Sequence, residues 1–187
     1  MRRTLLALCA VGSAAYATTL LALDLNALTT QADVVVRGRV VRVAARWTKD
    51  HARIVTDTEL AVTETWKGAP TRHLTVMQPG GEVGDLGQLV EGVAKFKVGE
   101  EVVLFLEARG DRFTVAGMAQ GRFLIESPTN GQPSIARQDQ CDDLYLLSQR
   151  TRQAVSPAPL ALTVEALKQQ VVVLAPSAPP PATRVVP

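Results

Sequence analysis

Through residues 34–126, polar and apolar positions mostly alternate with a period of two, the signature of strands with one buried face. The clearest case is residues 54–66. Ile54, Thr56, Thr58, Leu60, Val62 and Trp66 share one parity, and Asp57, Glu59, Thr63 and Thr65 take the other. Residues 34–45 (VVVRGRVVRVAA) are rich in β-branched side chains, but their alternation slips near Gly38: Val34 and Val36 keep one parity, Val41 and Val43 the other. A one-residue slip at a glycine predicts a β-bulge, and such bends help a sheet close on itself. The continuous run 102–106 (VVLFL) predicts the most buried strand. Shorter strands are predicted over 74–78, 113–116 and 122–126. Lys67-Gly68-Ala69-Pro70 marks a turn, and Arg109-Gly110-Asp111 sits where a hairpin needs a Gly-Asp turn.

Helical signals lie at the ends. Asp24 can cap a short helix over 23–32, with Leu25 and Leu28 on one face. Residues 139–154 read as helical, with Leu144, Leu147 and Cys141 inward. Thr163 caps a last helix in which Val164, Leu167, Val171 and Leu174 recur at helical spacing. Residues 79–92 hold five of the 13 glycines and predict a long flexible connection, either functional or mobile. The fold expected is mainly β: a small closed or partly closed antiparallel OB-like barrel with short N-terminal and C-terminal helices.

The first residues change the picture of where the protein works. Arg2 and Arg3, the apolar run TLLALCAV and the small-x-small triplet Ala15-Tyr16-Ala17 read as a secretory signal over residues 1–17. An uncleaved anchor is the alternative, since no charge falls between Arg3 and Asp24, but Gly12, Ser13, Thr18 and Thr19 make a poor span. The expected location is secreted or periplasmic, with membrane contact only transient, through the signal. The barrel is assigned to 18–126, a C-terminal helical appendage to 127–174 and a disordered Pro-rich tail to 175–187, where five prolines fall.

Length and composition, 187 residues with 47% hydrophobic and 20% charged, suit one globular domain. The net charge of +2 belongs to the signal: removing Arg2 and Arg3 lowers Lys+Arg from 20 to 18, equal to the 18 Asp+Glu. A neutral exported domain is not expected to bind nucleic acid, whose affinity rests on phosphate neutralisation. Cys9 leaves with the signal, so Cys141 has no internal disulfide partner and is expected to be buried. His51 and His73 are 22 positions apart and share no ligand spacing with Cys141. Asp139, Asp142 and Asp143 lack the calcium-loop pattern and are read as favouring a helix N-terminus. Gly80-Gly81-Glu82-Val83-Gly84 lacks the Lys-Ser/Thr of a phosphate loop, and no Gly-x-Ser-x-Gly occurs. Neither a cofactor, a metal nor catalysis is expected.

Ala32-Asp33-Val34-Val35-Val36-Arg37-Gly38 after a short helix, Thr65-Trp66-Lys67-Gly68, and Gly99 to Leu106 (GEEVVLFL) resemble the netrin-like module of tissue inhibitors of metalloproteinases. The series ADVVVRG, WKG, QPGGEVG, F-x-x-GEEVVLFL and AGMAQGRF is also similar to a family of exported bacterial proteins of myxobacterial type. The resemblance spans about residues 23–126 and implies an OB-like barrel that binds proteins. The inhibitors' zinc-chelating N-terminal cysteine has no counterpart, because cleavage leaves Thr18. The function expected is non-catalytic binding of another exported protein, such as a secreted protease or an envelope protein. The alternatives are a structural accessory subunit of an envelope assembly and an enzyme whose site is not visible. Candidate contact residues are Trp47, an aromatic anchor; Arg37 and Arg39 on the first strand; and Gly80, Gly81, Glu82 and Gly84 in the glycine loop.

Overall fold

The computed structural model describes residues 19–69, 71–126, 131–142 and 144–175. The expected signal at 1–17, nearly all of the Pro-rich tail, and Asp143 lie outside them. Strands are β1 (Thr19–Leu21), β2 (Val34–Trp47), β3 (Ile54–Lys67), β4 (His73–Pro79), β5 (Gly81–Val83), β6 (Leu86–Gln88) and β7 (Glu101–Arg109). There follow β8 (Arg112–Val115), β9 (Arg122–Glu126), β10 (Ile135–Arg137), β11 (Tyr145–Leu147), β12 (Ala154–Val155) and β13 (Ala161–Thr163). The helices are α1 (Leu25–Gln31) and α2 (Val164–Leu174), and a 3-10 turn covers Met118–Gly121.

The protein is mainly β. Eight strands form one sheet in the order β13-β10-β9-β7-β2-β3-β4-β8, and β8 also pairs with β7. That extra pairing bends the sheet partly into a ring of β7, β2, β3, β4 and β8. The joint between β4 and β8 is a single parallel pairing, Val76 with Phe113, so the expectation of purely antiparallel strands fails there. Bulges supply the bend. Val40 pairs with Leu60 and Arg42 with Glu59, which leaves Val41 as the extra residue, 46% exposed. The register also shifts between Arg37 and Gly38, as the sequence predicts, with Thr63 the extra residue on β3. Gly38 has its own role: a Cβ there would stand 2.6 Å from the Ala61 carbonyl oxygen, so only glycine lets β3 come this close.

The ring creates two apolar compartments. Val36, Val40, Leu60, Leu74, Val76 and Leu104 face its interior. On the outer side α1 and α2 cover Val35, Val103, Phe105 and Phe123 with Leu25, Leu28, Leu167 and Val171. β7 serves both, which is why residues 102–106 are continuously apolar and all 0% exposed. Phe105 and Phe123 meet with ring centroids 5.6 Å apart, and truncating such a side chain costs roughly 3–5 kcal/mol.

α1 has only seven residues, too short to persist alone. Asp24 accepts a hydrogen bond from the Ala27 N–H at 2.7 Å, as the sequence predicts. At the other end the Lys67 ammonium donates to the Thr29 and Ala32 carbonyls, each at 2.6 Å. This cation on the last carbonyls opposes the negative end of the helix dipole. The Trp66-Lys67-Gly68 run thus fastens β3 to α1: Trp66 is buried among the helix-side residues, and Gly68, at φ 89°, turns beside the Asp33 carbonyl. Thr163 caps α2 through the Ala166 N–H at 3.2 Å.

The helix expected over 139–154 does not form. The described residues there are irregular except for β11, parallel to β1, and β12, antiparallel to β11. Asp139 consequently caps no helix; it pairs with Arg122. The other described residues of 127–174 are not helical throughout either. β10 pairs with β9, β13 pairs with β10, and α2 packs into the helix-side core. The glycine-rich segment, expected to be a long flexible connection, contains the β5–β6 hairpin, turning at Gly84 and Asp85. The hairpin at Gly110 and Asp111 is as expected, with Arg109 opposite Arg112 and Gly110 at φ 65°. No helix among the described residues is long and apolar enough to cross a membrane.

Candidate functional site

The ring interior changes character along its length. On β3 the inward positions run Leu60, Thr58, Thr56, and on β4 they run Leu74, Val76, Gln78; the register sets Leu60 opposite Leu74, Thr58 opposite Val76 and Thr56 opposite Gln78. One end is therefore apolar and the other carries hydroxyl and amide groups. At that polar end lies a cavity of about 670 Å³. Val43, Ala45, Val93, Ala94 and Phe96 contribute apolar wall, and Thr58 and Gln78 line it as well.

Thr58 is 0% exposed and Gln78 5%, yet the Thr58 hydroxyl oxygen and the Gln78 amide nitrogen have no hydrogen-bond partner. Most buried polar side-chain atoms are paired, and an unpaired one costs roughly 1–3 kcal/mol. Both unpaired atoms are closed off from the open space of the cavity, so a bound molecule reaches them only if the side chains turn. The two ionisable side chains on the lining, Glu82 and Lys95, are both exposed.

The β5–β6 hairpin roofs this end. It packs against β2 and β3. The Gly80 N–H donates to the Ile54 carbonyl at 2.8 Å, the Thr56 hydroxyl donates to the Gly80 carbonyl at 2.7 Å, and the Ile54 N–H donates to Gln88 Oε1 at 2.9 Å. Gly81 has φ 132°, and a Cβ there would stand 2.5 Å from Thr56 Oγ1 and 2.9 Å from Ala45 Cβ. Only glycine lets the chain turn back so near the strands. Leu86, 59% exposed, and Leu89, 72%, project from this region into solvent.

The residues singled out from sequence divide into two groups. Gly80, Gly81 and Glu82 line the cavity, and Gly84 is exposed at the hairpin tip. Trp47 ends β2 close to them, half-buried and stacked on His51 at 6.4 Å between ring centroids. Arg37 and Arg39 lie eight to ten positions back along β2, roughly 25–33 Å of extended strand, and form no surface with the others. Arg37 is engaged by Glu64 at 3.0 Å and Glu101 at 2.7 Å, and Arg39 is exposed and donates to the Gly99 carbonyl at 3.0 Å. Glu64 also accepts from Lys168 of α2 at 2.8 Å and from the Trp66 indole N–H at 3.1 Å. Lys168, then Trp66 and Arg37, hold its carboxyl below the ordinary glutamate value against the opposing effect of burial.

Thr58 and Gln78 were not singled out from sequence. Their signal is a polar side chain on the inward parity of an otherwise apolar strand.

A buried cation supports the cavity wall. Arg122 has a fully buried side chain, pairs with Glu100 at 2.8 Å and with Asp139, and lies 5.5 Å over the Phe96 ring. Its Nε has no partner. Phe96 in turn lines the cavity. A larger depression of about 950 Å³, bordered by Gln120, Gln138 and Cys141, differs in kind. There Gln120 is bonded to Leu21, Leu23 and Gly117 backbone groups, and Gln138 to those of Gln120 and Leu160. It is a seam whose two buried glutamines are already paired. Burial, with Asp142 and Asp139 nearby, pushes the Cys141 thiol up to about 11. Among the described residues no group of three or more His, Cys, Asp and Glu is arranged to hold a metal ion.

Compared with known proteins, the chain matches no family model and no curated protein.

Proposed function

We propose that this chain is an exported, non-catalytic binding module built on an OB-like barrel, and that it binds another exported protein at the Trp47 end of its ring. The observation that carries the reading is the meeting, at one end, of the stacked Trp47–His51 pair and a pinned glycine hairpin with Leu86 and Leu89 in solvent. Large aromatic anchors beside exposed apolar side chains are what partner surfaces use. The ring order supports the barrel assignment. An OB-type barrel is five-stranded and partly open, and it binds through its second and third strands and the loop between its first two. In this chain those parts correspond to β3, β4 and the loop 48–53. Export rests on Arg2, Arg3, the apolar run and Ala15-Tyr16-Ala17. Cleavage after Ala17 would retain every described element.

The test compares capture from a periplasmic and secreted extract by the wild-type chain, by Trp47→Ala with Leu86→Ser and Leu89→Ser, and by Arg39→Ala. One stoichiometric partner, lost with the triple variant and kept by Arg39→Ala, is the expected result. Capture unaffected by the triple variant removes this end as the binding surface. Recovery only within a large envelope assembly makes the chain an accessory subunit instead.

A further inference from the structure

We propose that the cavity beneath the β5–β6 hairpin is a binding site for a neutral, largely apolar small molecule bearing one carbonyl-type hydrogen-bond acceptor. The inference is independent of the protein-binding reading and stands on the ring interior alone. Four observations converge. The volume, about 670 Å³, lies within the roughly 300–1,000 Å³ of ligand pockets. The walls are mainly apolar. Two side chains that line it, Thr58 and Gln78, are more than nine-tenths buried and hold unpaired polar atoms. The roof is a separate hairpin that follows β4 and is held to Ile54 and Thr56 of β3 by three hydrogen bonds.

The chemistry of the occupant follows from the groups present. The unpaired atom of Gln78 is its nitrogen, a donor closed off from the open space; a half-turn of the amide exchanges it with the oxygen, and a ligand then supplies an acceptor such as a ketone, ester or amide oxygen. No ionisable side chain is buried in the lining, and the charges of Glu82 and Lys95 sit outside on exposed positions. A charged ligand would lose its hydration without a counter-charge. Water alone is the competing occupant, since a cavity this large with polar partners can hold several molecules.

The probe is Nile red, a neutral aromatic ketone whose emission rises and shifts to the blue in apolar surroundings. It is titrated into the purified full chain. Saturable one-to-one binding is expected, weakened about tenfold by Gln78→Leu and abolished by Ala45→Phe, which fills the cavity from its β2 wall. Should Ala45→Phe fail to fold by circular dichroism, Val93→Phe fills the cavity from the irregular segment instead. Without ligand, Thr58→Val and Gln78→Leu each raise Tm by a few degrees, because each removes an unpaired polar group. A surface role for these residues would show no such opposition between stability and binding. Absence of saturable binding overturns the proposal and leaves water as the occupant. So does binding that survives Ala45→Phe and Val93→Phe but is lost on Leu86→Ser with Leu89→Ser, which would place the probe on the hairpin surface.

Discussion

Replacing Arg122 by methionine should cost about 3 kcal/mol of folding stability. Removing one partner of a buried ion pair costs roughly 3–5 kcal/mol, because the remaining charge is left unpaired. Here the side chain removed is 0% exposed, whereas Glu100 and Asp139 remain 20% and 27% exposed and regain some water, which sets the loss at the lower end. Contact with the Phe96 ring adds roughly 0.5–2 kcal/mol to what is lost. The unpaired Nε works in the opposite direction. Urea unfolding followed through tryptophan fluorescence, to which buried Trp66 contributes, reads the change. At a slope of about 2 kcal/mol/M the midpoint falls by about 1.5 M. The same reasoning makes the triple variant Arg122→Met, Glu100→Gln, Asp139→Asn more stable than the single one, since no uncompensated charge remains. A loss below about 1 kcal/mol for the single variant, or a triple variant less stable than the single, would refute the account.

Glu64 makes stability fall in acid. Its folded carboxyl titrates below the ordinary 4.5, so its contribution is fully present above that value and is lost as pH falls through the folded one. Thermal melts of Glu64→Gln should accordingly show a shallower loss of Tm below pH 4.5 than the wild type. Cys141 should react slowly in the folded state: a thiol near 11 instead of 9.0 has about a hundredfold less thiolate at pH 8, and burial slows it further. Ellman's reagent on Cys9→Ser protein with and without urea measures this, and equal rates would contradict it. Lys67→Met removes both hydrogen bonds to the end of α1 and should lower stability by about 1–2 kcal/mol by urea titration. Lys67→Arg should recover part of that loss.

Local chemistry made a good share of the fold legible. The period of two in β3, the unbroken apolar run of β7, the Asp24 and Thr163 caps and the Gly110-Asp111 turn each act within a few residues, so one stretch of sequence suffices to read them. The segment 139–154 departs from its local pattern for the converse reason. Leu144 and Leu147 have helical spacing, but Asp139 is held by Arg122 and residues 145–147 by β1, both distant in sequence. Strands of two or three residues, such as β10, β12 and β13, are too short to show any period.

The candidate site divides in the same way. Composition and alternation determined that Thr56 and Thr58 share the inward parity of β3 with Leu60, and that the glycines of residues 80–92 permit close turns. Only the tertiary structure decided that Thr58 and Gln78 would meet in one cavity, that β5 and β6 would roof it, and that Arg37 would be engaged elsewhere. Strand register and ring closure set those neighbours. Both depend on pairings between residues tens of positions apart, which no local pattern encodes, as well as on the bulges between β2 and β3.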